Sequence, residues 1–280
     1  MNISKTLIND LRKKAQELRR NIIFGIGIGC AGYVGGNMSA ADVIAALYFG
    51  KMRRDAENKS TEKDYFILSK GHAAMAQYAA LAMCGYFPVE ELAETRHPNT
   101  RLQGFVDYLQ NADIGIDAPA GSLGYGLSVA VGLALGLRLD GSTSKVYVLV
   151  GDGEMAAGQI WEAAMAAANF GLSNLVMIID KNRMQAQGLV ADRLNQGVIA
   201  KKMESFGFDV TEIDGHDMGE IMQALNEADN AKLKPTAIIA STTKGKGLDF
   251  AERHHTGFHY ETITSELYSK AMDVLGGENK

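Results

Sequence analysis

Asp152 stands between two glycines, in Gly151-Asp152-Gly153, directly after the apolar run Lys145-Val146-Tyr147-Val148-Leu149-Val150. Asn182 follows 30 residues later, just beyond a second apolar run, Asn174 to Asp180. A carboxylate and a side-chain amide oxygen are hard donors. They suit Mg2+ or Ca2+, with waters and phosphate oxygens completing the shell. Glycines beside the carboxylate let the main chain approach a diphosphate closely. A helix opening after Gly158 would aim its positive end at the same anion. Gly-Asp-Gly alone is an ordinary turn; an Asn at the end of a second strand makes the pattern specific.

Such residues converge only if a fold brings the two strand ends together. The sequence alternates short apolar runs with helical patterns. Residues 4–24 repeat Leu7, Leu11, Ala15 and Leu18 at helical spacing. The glycine-rich stretch Gly25 to Gly36 follows. Ser39-Ala40-Ala41-Asp42 then reads as a cap opening a second helix to Phe49. Residues 51–63 read as a polar loop, Tyr65-Phe66-Ile67-Leu68 as a buried strand, and Gly71 to Gly85 as a helix. Residues 96–120 have no period and form a long loop.

Further helices are expected over Leu127–Leu139, Gln159–Phe170 and 195–206. Strands are expected over Asp209–Asp214 and Thr236–Ser241. Asp217 and Glu220 have capping-box spacing for a helix running to Lys232. This alternation predicts an α/β fold: a parallel sheet with helices on both faces, in one domain over 1–280, with 1–60 an N-terminal helical segment. Ligands of such sheets bind beyond the strands' carboxyl ends. Gly151-Asp152-Gly153, Lys181-Asn182 and Thr242–Gly247 all fall there.

Composition excludes several classes. The formal charge is −5, from 28 basic and 33 acidic residues, and no basic run tracks a nucleic-acid backbone. No apolar stretch reaches the roughly 20 residues of a membrane span, and no signal peptide opens the chain, so the cytoplasm is expected. The two cysteines, Cys30 and Cys84, lack metal-site spacing and read as reduced, buried thiols.

With these motifs in order, the chain resembles the diphosphate-binding half of transketolase, a thiamine-diphosphate enzyme. The resemblance rests on Gly151-Asp152-Gly153 with Asn182, Ser69-Lys70-Gly71-His72 and Gly121-Ser122-Leu123-Gly124-Tyr125-Gly126-Leu127-Ser128. It extends to Gly158-Gln159-Ile160-Trp161-Glu162-Ala163 and Thr242-Thr243-Lys244-Gly245-Lys246-Gly247. It implies that Asp152, Asn182 and the main-chain carbonyl of Met184 hold Mg2+, with Ca2+ or Mn2+ as alternatives. Gly151, Gly153 and Glu154 fall in the diphosphate-binding stretch. Gly121, Ser122 and Leu123 match the segment lying against the thiamine rings. Lys70 and Lys244 match lysines near the cofactor, and His72 and His259 match histidines near the diphosphate and the reacting carbon. Of His254, His255 and His259, the last fits best. Glu162 matches a glutamate at a subunit interface, counted with the catalytic set.

A full-length transketolase is more than twice this size. Its second domain supplies the glutamate that activates the cofactor, which this chain cannot carry. The resemblance therefore implies the N-terminal subunit of a two-chain transketolase. Its partner would be a C-terminal subunit with the pyrimidine-binding and C-terminal domains, in an α2β2 heterotetramer. Two departures stand out. Tyr33 and Phe105 occupy positions where the family has histidines that touch sugar hydroxyls. Aromatic surface in place of imidazoles implies an altered sugar substrate. Ala156-Ala157 replaces a Gln-Glu pair, thinning the acidic cluster at the interface.

Three rival readings remain. A deoxyxylulose-phosphate synthase-like carboligase or 2-oxoacid decarboxylase would share the cofactor, and Leu102-Gln103-Gly104-Phe105 somewhat resembles the former. Gly27-Ile28-Gly29-Cys30-Ala31-Gly32 matches a nicotinamide-binding fingerprint, though it follows a helical stretch rather than a strand. A non-catalytic regulatory protein is the third.

Overall fold

The computed structural model describes residues 3–56 and 62–276. Of the loop expected over 51–63, residues 57–61 lie outside the described residues. The main helices are α1 (Lys5–Ile26), α2 (Val34–Ala46), α3 (Ala74–Met83), α4 (Tyr125–Leu139), α5 (Gly158–Asn169), α6 (Ile199–Ser205), α7 (Met218–Glu227) and α8 (Ser265–Gly276). The strands of the main sheet are β1 (Tyr65–Leu68), β2 (Val146–Gly151), β3 (Leu175–Lys181), β4 (Asp209–Asp214) and β5 (Thr236–Ser241). They pair in the order β1-β2-β3-β5-β4, every pair parallel.

Period-two alternation decides which side chain meets which layer. In β2, Tyr147 and Leu149 join one apolar cluster with α1, α2, α3, α7 and α8. Val146, Val148 and Val150 join the other, with α4, α5 and α6. Strands β2, β3 and β5 are thus buried on both faces, which is why their runs read as continuously apolar, whereas the edge strand β4 is largely exposed. Each fully buried Val, Leu or Ile contributes ~1.5–3 kcal/mol relative to exposure.

The structure corrects several sequence boundaries. Ser39 and Asp42 do not cap α2; they lie inside it, and the helix begins at Val34. The glycine stretch supplies its first turn because a Cβ on Gly35 would lie 1.9 Å from the Gly257 carbonyl oxygen. The helix predicted over Gly71–Gly85 opens as a 3-10 turn, Gly71–Ala73, before α3. The helix predicted over 195–206 shortens to Ile199–Ser205. The long loop of 96–120 contains a helical turn, Tyr108–Asn111, capped by Asp107. Arg54 and Lys63 pin this loop to β1 through Asp117, whose carboxylate also accepts the Phe66 amide at 2.9 Å.

The nicotinamide fingerprint is not realised. Its first glycine, Gly27, ends α1 at φ 80°, and Ala31–Gly32 pairs antiparallel with Glu261–Thr262. Among the described residues, no strand leads into it and no dinucleotide fold surrounds it. Helix α8, which the sequence pattern did not single out, docks Ala271 and Leu275 into the core beside α1. Cys30 and Cys84 are free and half-buried rather than fully buried. Among the described residues, no helix is long and apolar enough to cross a membrane.

Candidate active site

Four strands end on one cavity of about 350 Å³. Strand β1 delivers Lys70 and His72, β2 delivers Asp152, Gly153 and Glu154, and β3 delivers Asn182 and Met184. Beyond β5, the segment starting at Thr242 brings in Lys244. Register sets this convergence: Gly151 pairs with Asp180, and Asp180 with Ala240.

Asp152 is 2% exposed. Its oxygens accept only main-chain N–H groups, from Arg183 at 2.6 Å and Gly153 at 2.8 Å. Burial, then the charge of Asp180, push its pKa up to about 7. A buried carboxylate with no cationic side chain bonded to it is a site in want of a cation. Asn182 turns the chain: its Oδ1 accepts the Met184 amide at 3.1 Å. Arg183 between them adopts φ 65°, a left-handed strain that tips its amide onto Asp152. Gly153 packs so closely on this turn that a Cβ would meet Gln185 Cγ at 2.7 Å.

The donor set fits a hard cation and a diphosphate. Among the described residues no three His, Cys, Asp or Glu side chains cluster as an all-protein metal cage. One carboxylate, one amide oxygen and main-chain carbonyls instead leave positions for phosphate oxygens and water.

Beneath them lies a network that the sequence did not reveal. Asp180, 1% exposed, accepts from Lys70 Nζ at 2.5 Å, Ser39 Oγ at 2.7 Å, Asn182 Nδ2 at 3.0 Å and the Thr242 hydroxyl. Burial works to raise its pKa, but the Lys70 charge and these hydrogen bonds hold it below the ordinary carboxylate value. Lys70 also donates to the Gly36 carbonyl at 2.7 Å. Lys70 therefore lines the cavity with its ammonium already committed to protein partners. Glu154 is committed too, accepting from Ser69 Oγ at 2.5 Å and the Gly124 and Gly151 amides at 2.7 and 3.0 Å. It clamps the segment carrying Gly121 to the end of β2.

Two histidines sit above. Burial, then the charges of Lys70, His259 and Lys244, lower the His72 pKa to about 3. Burial, then Lys244 and Lys70, lower that of His259 to about 4. Both rings are neutral at pH 7. Lys244 Nζ lies 3.2 Å from His259 Nδ1 and 3.0 Å from the Gln185 carbonyl. An ammonium only donates, so His259 carries its proton on Nε2. Burial and the Lys70 charge lower the Lys244 pKa to about 8.

The mouth is aromatic. Tyr33 stacks within 5.3 Å of His72, 5.2 Å of His259 and 4.7 Å of Tyr260, with Phe105 at 6.4 Å. Gly121 and the exposed Leu123 also line the cavity.

Of the residues singled out from sequence, Ser122 and Glu162 alone do not line the cavity. Ser122 is exposed beside it, between the lining residues Gly121 and Leu123, and Glu162 is exposed on α5. Glu162 lies outside this cavity, on an exposed helix face, and the resemblance places it at a subunit interface rather than against the cofactor. His254 hydrogen-bonds Thr256 and stacks on His255, and of the three clustered histidines His259 alone reaches the cavity. Asp180, Gln185 and Tyr260 were missed. Asp180 closes an apolar strand, and only its neighbours on other elements show its use.

The family model for the thiamine diphosphate binding domain of transketolase matches residues 16–266. The chain belongs to the transketolase family. It is 40% identical to the 6-deoxy-6-sulfo-D-fructose transketolase subunit of Clostridium sp. (strain MSTE9), over 96% of this chain and 97% of that one. It is 38% identical to one subunit of the apulose-4-phosphate transketolase of Actinobacillus succinogenes, over 99% of this chain and all of that one. A mutant transketolase from Pichia stipitis superimposes with a TM-score of 0.86 at 26% identity, covering 95% of this chain and 41% of that one. The Campylobacter jejuni transketolase gives 0.84 at 27% identity, with 99% and 44% covered. The chain thus spans about two fifths of the length of these solved transketolases. It matches the subunit-named relatives end to end. The fold is accordingly the thiamine-diphosphate-binding α/β fold of the transferase family.

Proposed function

We propose that this chain is the diphosphate-binding subunit of a two-chain transketolase that moves a two-carbon ketol unit from a modified ketose to an aldose. One observation carries the reading: Asp152 and Asn182 stand at adjacent strand ends on a single cavity that also holds two neutral histidines. Asp152, Asn182 and the Met184 carbonyl would hold Mg2+, and Gly153 would let the diphosphate approach the main chain. Thiamine diphosphate, once bound, supplies a carbon nucleophile able to break the bond beside a ketose carbonyl.

The chain's own groups bind, orient and move protons. Neutral imidazoles of His72 and His259 donate or accept a hydrogen bond at the substrate without adding charge. Lys244 fixes the His259 tautomer, leaving Nε2–H as a donor. Tyr33, Phe105 and Tyr260 shield the reacting end from water. The glutamate that activates the cofactor belongs to the partner, a C-terminal subunit, and an α2β2 assembly buries the face bearing Glu162. Relatives named for sulfonated and phosphorylated sugars support a ketose whose far end is anionic.

Co-purification with the proposed C-terminal subunit, followed by a ketol-transfer assay, tests this. Aldehyde release dependent on both thiamine diphosphate and Mg2+ is expected. Release of carbon dioxide from pyruvate without ketol transfer would favour a carboligase, and no turnover of either kind would refute the proposed role.

A further inference from the structure

Lys244 reaches the cavity from the loop Thr242–Gly247, and the groups that restrain that loop's backbone lie outside the cavity. The Thr242 amide donates to the Lys181 carbonyl at 3.2 Å, and its hydroxyl to Asp180. The Gly245 amide donates to the Gly35 carbonyl at 3.0 Å. The Gly247 amide donates to Glu252 Oε1 at 2.8 Å. The restraint directly before Lys244 comes from a side chain: the Thr243 amide donates to His216 Nε2 at 2.8 Å.

His216 comes from the turn after β4 and does not line the cavity. Its side chain is 14% exposed. A backbone amide only donates, so Nε2 presents a lone pair and the proton sits on Nδ1. Nδ1 lies 2.7 Å from Asp42 Oδ2. Asp42 is in turn gripped by both terminal nitrogens of Arg19, at 2.5 and 3.1 Å. This fork fixes the carboxylate, the carboxylate fixes the imidazole, and the imidazole fixes the loop.

Lys244 needs such a restraint. Its ammonium is buried and shares the cavity with that of Lys70, an arrangement unfavourable enough to lower its pKa. Its stem also crosses Gly257 so closely that a Cβ there would lie 2.6 Å from Lys244 Cδ. A loop free to move would let the ammonium swing to water, recovering its hydration.

We infer that His216 is a positioning residue: by accepting from the Thr243 amide while donating to Asp42, it holds the Thr242–Gly247 loop where Lys244 meets His259 and Gln185. The inference rests on the proposed function only for what the cavity binds.

The test compares His216→Gln, His216→Asn and His216→Ala in the full chain, with cofactor binding measured on its complex with the proposed partner subunit. A Gln amide oxygen can occupy the Nε2 position and keep the Thr243 bond. An Asn amide reaches only the Nδ1 position and loses it. Hydrogen exchange at the Thr243 amide is followed, with Ile178 in the central strand as control, and the Kd for thiamine diphosphate with Mg2+ is measured by calorimetry. His216→Asn and His216→Ala should speed Thr243 exchange about tenfold and weaken cofactor binding by a similar factor, with Ile178 unchanged. His216→Gln should recover most of both.

Equal behaviour of the Gln and Asn variants, unchanged Thr243 exchange, or acceleration shared by Ile178 would overturn the inference. If His216→Ala does not fold, the Gln–Asn pair decides alone. If the complex of the unmodified chain with its proposed partner subunit binds no cofactor, the cavity assignment fails, while the exchange comparison still judges His216.

Discussion

The floor and the mouth of the cavity are built on opposite principles. At the floor, Asp180, Lys70, Ser39, Thr242 and Asn182 form a closed set of bonds between charged and polar groups, nearly all buried. At the mouth, Tyr33, Phe105 and Tyr260 meet ring against ring, and Phe105 and Tyr260 are 40% and 50% exposed. Buried polar networks tolerate no missing member, because each loss strands a desolvated partner. Half-exposed aromatic surface tolerates exchange. The floor can therefore keep one cofactor while the mouth changes sugar.

The comparison is broken most severely at the floor. Asp180→Ala leaves the Lys70 ammonium buried with only the Gly36 carbonyl, and removing one partner of a buried pair costs about 3–5 kcal/mol. Urea unfolding should show this loss; an unchanged midpoint would mean the network is not what holds the floor.

A second effect comes from Asp152. Its pKa is raised to about 7, so the proton competes with the metal below that pH. The apparent affinity for Mg2+ and thiamine diphosphate should fall up to about tenfold per unit as pH drops from 7 toward 5, and level off above 8. The linkage sign agrees. A raised carboxyl pKa stabilises the cofactor-free fold at low pH, and that contribution fades as pH rises through 7. Bound metal should hence raise the melting temperature more at pH 8 than at pH 6. The reverse order would refute the carboxylate's role as ligand.

Smaller effects belong to the mouth. Restoring imidazoles in a Tyr33→His, Phe105→His double variant should lower KM for an unmodified ketose phosphate by about tenfold or less, the value of one or two hydrogen bonds. Its cofactor Kd should not move; a large shift would deny the separation of floor from mouth. Least of all, Glu162→Ala should change the unfolding free energy of the isolated chain by no more than about 0.5 kcal/mol. Its cofactor binding should also be unchanged, any effect appearing only as a shift in assembly mass by analytical ultracentrifugation.

The sequence disclosed elements whose signal is local. Val146–Gly151 and Leu175–Lys181 announce themselves as apolar runs, and Gly151-Asp152-Gly153 falls at the end of one. It misled where a local signal serves a distant purpose. Ser39 and Asp42 look like caps, yet their side chains bond Asp180, Arg19 and His216, up to 174 positions away. Gly35 looks like a turn but makes room for the Gly257 carbonyl. Asp180 and His216 had no motif, since each takes its meaning from partners on other elements. Tyr260, next to His259, joined the mouth only once the ring contacts were visible.

The most direct test of the whole account is calorimetric titration of thiamine diphosphate into the complex of the full chain with its proposed partner subunit, with and without Mg2+, for the unmodified protein and for Asp152→Ala. The unmodified complex should bind far more tightly with the metal than without it, and the variant complex should lose that metal-dependent gain while its chains remain folded and associated. Equal affinity in the two proteins, with Mg2+ strengthening both alike, would contradict it.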